Sequence, residues 1–303
     1  MGETPTPVAL ARQNMRGIFW MLVFALTMSF MWVFIRHVSQ DIHPFEISFF
    51  RNLFGLIAVI PWFIKYGLTP LKTQKLGLLG LRGLLNTVSM LAFFTALSIT
   101  PVADVTALAF MSPIYATLFA MFYFHEKVGL RRWSAILFGF AGTMVVLRPG
   151  FETIGTGQML VIGSGIIWGV CLVLIKVIGR TESSVTITTY MSVFMAPMSL
   201  IPALFVWHWP SGEQFAWLVG IGILGGAGQM AMSESLKSAD THVVMPADFT
   251  KLIWVAIIGY LAFGEVPGLY VWLGGAMIFG STAFIAYREH ALGRAAKVPQ
   301  ALT

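Results

Sequence analysis

Three charged residues fall well inside apolar runs, where a charge is expensive: Arg51, Asp248 and Lys251. Asp248 and Lys251 are three positions apart, so on a helix they share a face and can partly neutralise each other. An unpaired charge at the centre of a hydrocarbon layer costs roughly 2.5–3.5 kcal/mol on insertion scales. Between Val243 and Phe263 the chain has ten Val, Leu, Ile and Phe residues. At about 0.5 kcal/mol each they supply about 5 kcal/mol, which barely meets a charge cost of about 6 kcal/mol. The segment therefore needs partners or water. The chemistry available is reversible electrostatic binding: an ammonium and a guanidinium suit an anionic or zwitterionic ligand, and a carboxylate can take up a proton. Neither cation has a basic counterpart in the other half of the chain, where Met191 and Ser112 stand.

Asn86, Trp168 and Gln229 are the polar or amphipathic groups expected to join the three charges along one aqueous path. Asp104, Glu234 and Asp248 are the carboxylates whose protonation could change the charge of such a path. Arg82 and Glu234 stand at the inner ends of apolar runs, where snorkelling to the interface is expected. Glu126 and Glu265 close two runs, each favouring the N-terminus of the helix that follows. His242 is read as interfacial. The string GIGILG at Gly220 to Gly225 fits a dinucleotide fingerprint only if a strand precedes it. It lies inside an apolar run, so it reads as helix packing, as do the pairs Gly222/Gly226 and Gly165/Gly169. The single cysteine, Cys171, is read as packing and permits no disulfide or thiolate cluster. No P-loop, zinc-helix motif or hydrolase triad is present, so no catalytic residue, metal ligand or cofactor is assigned.

The elements that must position these groups follow from composition. The 303 residues are 57% hydrophobic and 11% charged, against about 45–50% and about 25% in a soluble chain. Nineteen basic residues give a net charge of +6, but they are scattered over short connections, which excludes a nucleic-acid surface. Ten apolar runs, near 17–35, 44–65, 79–98, 101–124, 131–147, 157–178, 185–207, 215–236, 241–263 and 267–287, approach the length needed to cross a bilayer. The first lacks a cleavage site and reads as a retained span. With the N-terminus inside, fifteen basic residues fall on cytoplasmic segments and two, Arg36 and Arg148, on outer ones. That asymmetry predicts both termini in the cytoplasm, with the Lys72 to Lys75 loop inside and the His208 to Glu213 loop outside.

The halves repeat. At an offset of 140, Gly17, Ile35, Ile47 and Phe54 fall on Gly157, Ile175, Ile187 and Phe194; at 139, Gly83, Leu97, Glu126, Trp133 and Phe140 fall on Gly222, Leu236, Glu265, Trp272 and Phe279. Five spans per unit is an odd number, so the second copy is expected to be inverted. The expected units are 16–150 and 155–290, with cytoplasmic tails 1–15 and 291–303. The predicted fold is an all-α integral membrane protein of ten transmembrane helices in two inverted five-helix repeats.

The strings FYFHEK and LAFGEV, each with a Trp seven residues after its Glu, resemble the drug/metabolite transporter superfamily, in particular its ten-helix EamA-type permeases. HPFEISFFRN, LRGLL and IIWGVCLVLIK extend the resemblance over about 16–290. The first span departs from the pattern, with Met28 where the second copy has Trp168, and Trp32 one turn later. The resemblance implies a proton-linked or facilitative carrier of a small-molecule substrate, multi-pass in the inner (plasma) membrane, with a site between the halves. It leaves a homodimer open. A membrane-embedded enzyme and a scaffold or sensor are the rival readings.

Overall fold

The computed structural model describes residues 7–57, 73, 75–124, 130–148, 154–182, 184–239 and 241–297. Among them the chain is helical, with no strand. An apolar chain in lipid has no water to satisfy its amides, and a helix satisfies them within one segment.

The elements are α1 (Pro7–Val38), α2 (Pro44–Ile57), α3 (Leu76–Ile99), α4 (Val102–Ala109), α5 (Ser112–Phe124), α6 (Leu130–Leu147), α7 (Thr156–Ile178), α8 (Ser184–Leu204), α9 (Gly212–Ser238), α10 (Thr241–Asp248), α11 (Thr250–Phe263) and α12 (Leu269–Lys297). Among the described residues six stretches are long and apolar enough to cross a membrane, and three shorter apolar helices accompany them. The first and last helices extend into segments expected to be tails. The later part of the second run, and Glu126, lie outside the described residues.

Two expected spans are not continuous. The fourth breaks at Phe110 and Met111, between α4 and α5, and the ninth at Phe249, between α10 and α11. Pro113 has no N–H to give to the Ala109 carbonyl, and the Ser112 hydroxyl donates to that carbonyl instead, at 2.9 Å. In the ninth span Pro246 lies within α10, and the Thr250 hydroxyl donates to the Ala247 carbonyl at 2.7 Å.

The two halves interlock through equivalent contacts. A Cβ added to Gly83 of α3 would lie 2.8 Å from the Phe194 Cβ of α8, and one added to Gly222 of α9 would collide with the Phe54 Cβ of α2. Phe54 and Phe194 are 140 apart and Gly83 and Gly222 are 139 apart, so this is one contact made twice, each time between halves. Gly17 against Ala239 and Gly157 against Thr100 form a second such pair. Phe110 and Phe249, again 139 apart, face each other with ring centroids at 5.4 Å. The two helix breaks therefore meet where the halves are related. The string Gly220 to Gly225 lies within α9; Gly222 and Gly225 approach Phe54 and Arg51 closely, whereas a Cβ on Gly220 would meet nothing within 4 Å.

Glu265 corrects one expectation. It does not serve the helix that follows it: Oε2 accepts from the Val102 amide at 3.2 Å, at the start of α4 in the other half. Its other oxygen pairs with Arg36 at 3.4 Å, and Arg36 also donates to the carbonyls of Leu97 and Ser98 at the end of α3. Gly264, at φ +69°, turns the chain so that Glu265 leaves α11 in that direction. At the two ends of α8, Thr73 donates to Glu182 at 2.7 Å and the His208 amide donates to Glu46 at 3.2 Å. Hence the start of α3 and the start of α2 lie at opposite ends of that layer.

Candidate substrate site

Lys251 is the second residue of α11, where the helix end already carries partial positive charge and an ammonium is unfavourable. Asp248, on the other side of the break, compensates: its Oδ1 is 2.8 Å from Lys251 Nζ, and the side chains are 13% and 10% exposed. Three rings surround the same ammonium. Its nitrogen lies 4.9 Å from the Phe24 ring, 5.5 Å from Trp32 and 5.5 Å from Phe110, within the range where ring quadrupoles attract a cation. Phe93 meets Trp32 edge-on at 5.1 Å, and Phe249 meets Phe279 in a tilted contact with ring centroids at 4.4 Å. The result is a caged ion pair at the meeting point of two broken helices. It can hold an anion in place of Asp248, or a flat ring against the cage.

Arg51 occupies the other flank of α1. Its guanidinium fills the space left by Gly225 of α9: a Cβ there would lie 3.1 Å from Arg51 Nε and 3.2 Å from Met31 Sδ. Nη1 donates to the Asn52 Oδ1 at 3.1 Å. Asn52 in turn donates to Ser199 of α8 at 3.1 Å. Arg51 thus packs beside Met31 and Lys251 beside Trp32, adjacent residues of α1, at one level of the bundle. The structure pairs Asp248 with Lys251 and sets Arg51 across α1 from them.

The remaining candidates are more dispersed. Asn86 is buried, its Nδ2 3.0 Å from Met195 Sδ. Trp168 is half-buried on α7 beside Gly169, which packs against Tyr115 and Ala116. Gln229 is exposed on α9. Asp104 is half-buried in the first turn of α4. Glu234 pairs at a helix end with Arg16 at 3.7 Å and Lys237 at 3.1 Å. The side chain of His242 lies outside the described ones. Arg82 does not snorkel: it is 4% exposed, donating from Nη1 to the Ile187 carbonyl of α8 at 3.2 Å. Pattern reading missed the rings of Phe24 and Phe110, because in an apolar helix a Phe is unremarkable until its neighbour is known. The Ser112-Pro113 pair was the available signal for the break that exposes Phe110.

The profile of the EamA-like transporter family matches residues 15–148 and again 155–287. A riboflavin transporter of Vibrio cholerae is 28% identical over 93% of this chain and 96% of its own. An S-adenosylmethionine uptake transporter of Rickettsia prowazekii is 29% identical over 91% and 94%, and mouse solute carrier family 35 member G1 is 27% identical over 86% and 75%. A solved crystal structure aligns with 92% of this chain and 98% of its own at a TM-score of 0.61 and 19% identity, a shared fold. A family model that matches both halves, transporter-named relatives and several apolar helices of crossing length among the described residues agree: the chain belongs to the EamA-like transporter family, and is a multi-pass membrane transporter of small molecules, not an enzyme.

Proposed function

We propose that this transporter is a secondary carrier of an anionic or zwitterionic metabolite bearing a flat ring, working by alternating access across the inner (plasma) membrane. In this reading ten spans form two inverted repeats, of about 16–150 and 155–290, with both termini cytoplasmic. The repeats rock about a midplane site at Lys251. The observation that carries the proposal is the caged Asp248–Lys251 pair at the facing breaks of α4/α5 and α10/α11. Discontinuous helices at a repeat interface direct their positive N-terminal ends toward anionic substrate groups. Here those ends belong to α5 and α11. The rings of Phe24, Trp32 and Phe110 suit a planar group, and riboflavin and S-adenosylmethionine, named for two relatives, both contain fused heteroaromatic rings.

Coupling follows from competition for one ammonium. A proton on Asp248 releases Lys251 to the substrate's anionic group, so proton and anion load together. Asp248 is favoured over Glu234, already held by two surface cations, and over Asp104, in the first turn of α4. The test is a thermal-shift screen of the purified protein against metabolites, including riboflavin and S-adenosylmethionine, followed by flux in proteoliposomes. Saturable flux of ring-bearing anions or zwitterions, accompanied by proton uptake, supports the proposal. Stabilising ligands without any saturable flux would refute it in favour of a sensor.

A further inference from the structure

Arg82 is a buried guanidinium that is paired with no carboxylate among the described residues. Nη1 donates to the Ile187 carbonyl at 3.2 Å, Nη2 lies 3.5 Å from Met191 Sδ, and Nε has no partner. Among the described residues no acidic group pairs with it. The proton of the buried Cys171 thiol points to its backbone carbonyl, at 4.0 Å, and neutralises nothing. A buried charge left this way is strongly unfavourable. A staple between α3 and α8 needs no charge, since an amide or hydroxyl would serve.

Its position explains more than its contacts do. Phe54 on Gly222 and Phe194 on Gly83 mark the crossings α2/α9 and α8/α3 as equivalent. At the first crossing the guanidinium is Arg51. At the second, the residue equivalent to Arg51 is Met191, 140 positions on, and the group that touches Met191 is Arg82. Each equivalent crossing therefore holds one guanidinium, supplied by α2 in one case and by α3 in the other. Neither is paired with a carboxylate among the described residues. Asn52, next to Arg51, bonds Ser199 of α8, and Arg82 bonds Ile187. Those positions are twelve residues apart on one helix, about 18 Å at 1.5 Å per residue, more than half of a hydrocarbon core of about 30 Å.

We infer that Arg82 is a second anion-binding station of the substrate path, equivalent to Arg51 but displaced by about 18 Å from its level toward the Thr181 side, which receives the substrate's anionic group when the carrier opens to that side. Resting on the alternating-access reading, the inference gives the opening on the Thr181 side a cation of its own. The central station is Lys251, paired with Asp248 at the level of Arg51.

The test needs no known substrate. In a Cys171→Ala background, Met191→Cys places a thiol beside Arg82. Its reaction rates with anionic sulfonatoethyl and cationic trimethylammonioethyl methanethiosulfonate are measured from each face of oriented proteoliposomes, per folded protein. Taking their ratio cancels any effect of Arg82 on the thiol itself. The expected result is reaction from the face near Thr181 only, with an anion-over-cation preference that falls about tenfold in Arg82→Met, the effect of one charge about 6 Å away in a wet site. Asn86→Cys, one turn further along α3, should show the same preference and stands in if Met191→Cys does not fold. Labelling from neither face, or labelling with no preference that depends on Arg82, would overturn the station. Flux defects at Lys251 are read in a separate assay, so failure of the central site and failure of this one are distinguishable.

Discussion

The caged pair makes a prediction with an internal order. Replacing Lys251 by Met leaves the Asp248 carboxylate, 13% exposed, beside ring faces of like electrostatic sign. Breaking a buried pair this way costs about 3–5 kcal/mol. Replacing Asp248 by Asn also leaves a charge, but the ammonium keeps Phe24, Trp32 and Phe110, which together return about 1–2 kcal/mol. Asp248→Asn should then be the milder single change, at about 2–3 kcal/mol. The double change removes both charges and should restore wild-type stability or exceed it by about 1–4 kcal/mol. Stability is measured by denaturant unfolding in mixed micelles, and transport as flux per folded protein in proteoliposomes. The expected outcome is a stable double variant without flux. A double variant that transports normally would show the pair to be a structural salt bridge, and equal losses in the two singles would refute the contribution of the rings.

Further outcomes follow from other contacts. Glu265→Gln removes the carboxylate from Arg36 and from the Val102 amide; with both ionic side chains 21% exposed, solvent screening limits the loss to about 1–2 kcal/mol. In an Arg36→Gln background the same change should cost less, as a double-mutant cycle by thermal unfolding would reveal. Gly222→Ala should reduce folded yield severely, because its Cβ meets the Phe54 backbone region, whereas Gly163→Ala, with nothing within 4 Å, should be neutral or stabilising by up to about 1 kcal/mol. Equal yields would remove Gly222 from the close crossing. A thiol-reactive impermeant reagent applied to intact cells, in a Cys171→Ala background, should label Trp209→Cys, at a position 85% exposed, and spare Thr181→Cys; the reverse pattern would invert the orientation.

Reading the chain in one dimension determined its solvent, its helical class and its repeat. These depend on composition and on spacing along the chain: apolar runs of crossing length, and Gly83 and Gly222 recurring 139 apart. The same reading found Asp248 and Lys251, because a charge within an apolar run is conspicuous wherever the run ends up. It also set the two on one helical face, three positions apart, and the structure pairs them.

What remained depended on which helices become neighbours. Glu265 looked toward the next helix in the chain, yet it caps α4 of the other half. Arg82 looked free to reach an interface, yet it is enclosed between α3 and α8. Phe24 and Phe110, some 86 positions apart, come together only because α1 and the break in the fourth span face the same point of α11. Sequence spacing constrains contacts within one helix, where four residues make about one turn. Contacts between helices are fixed by how small residues let backbones approach and by where prolines interrupt them, and those choices are made jointly by segments far apart in the chain.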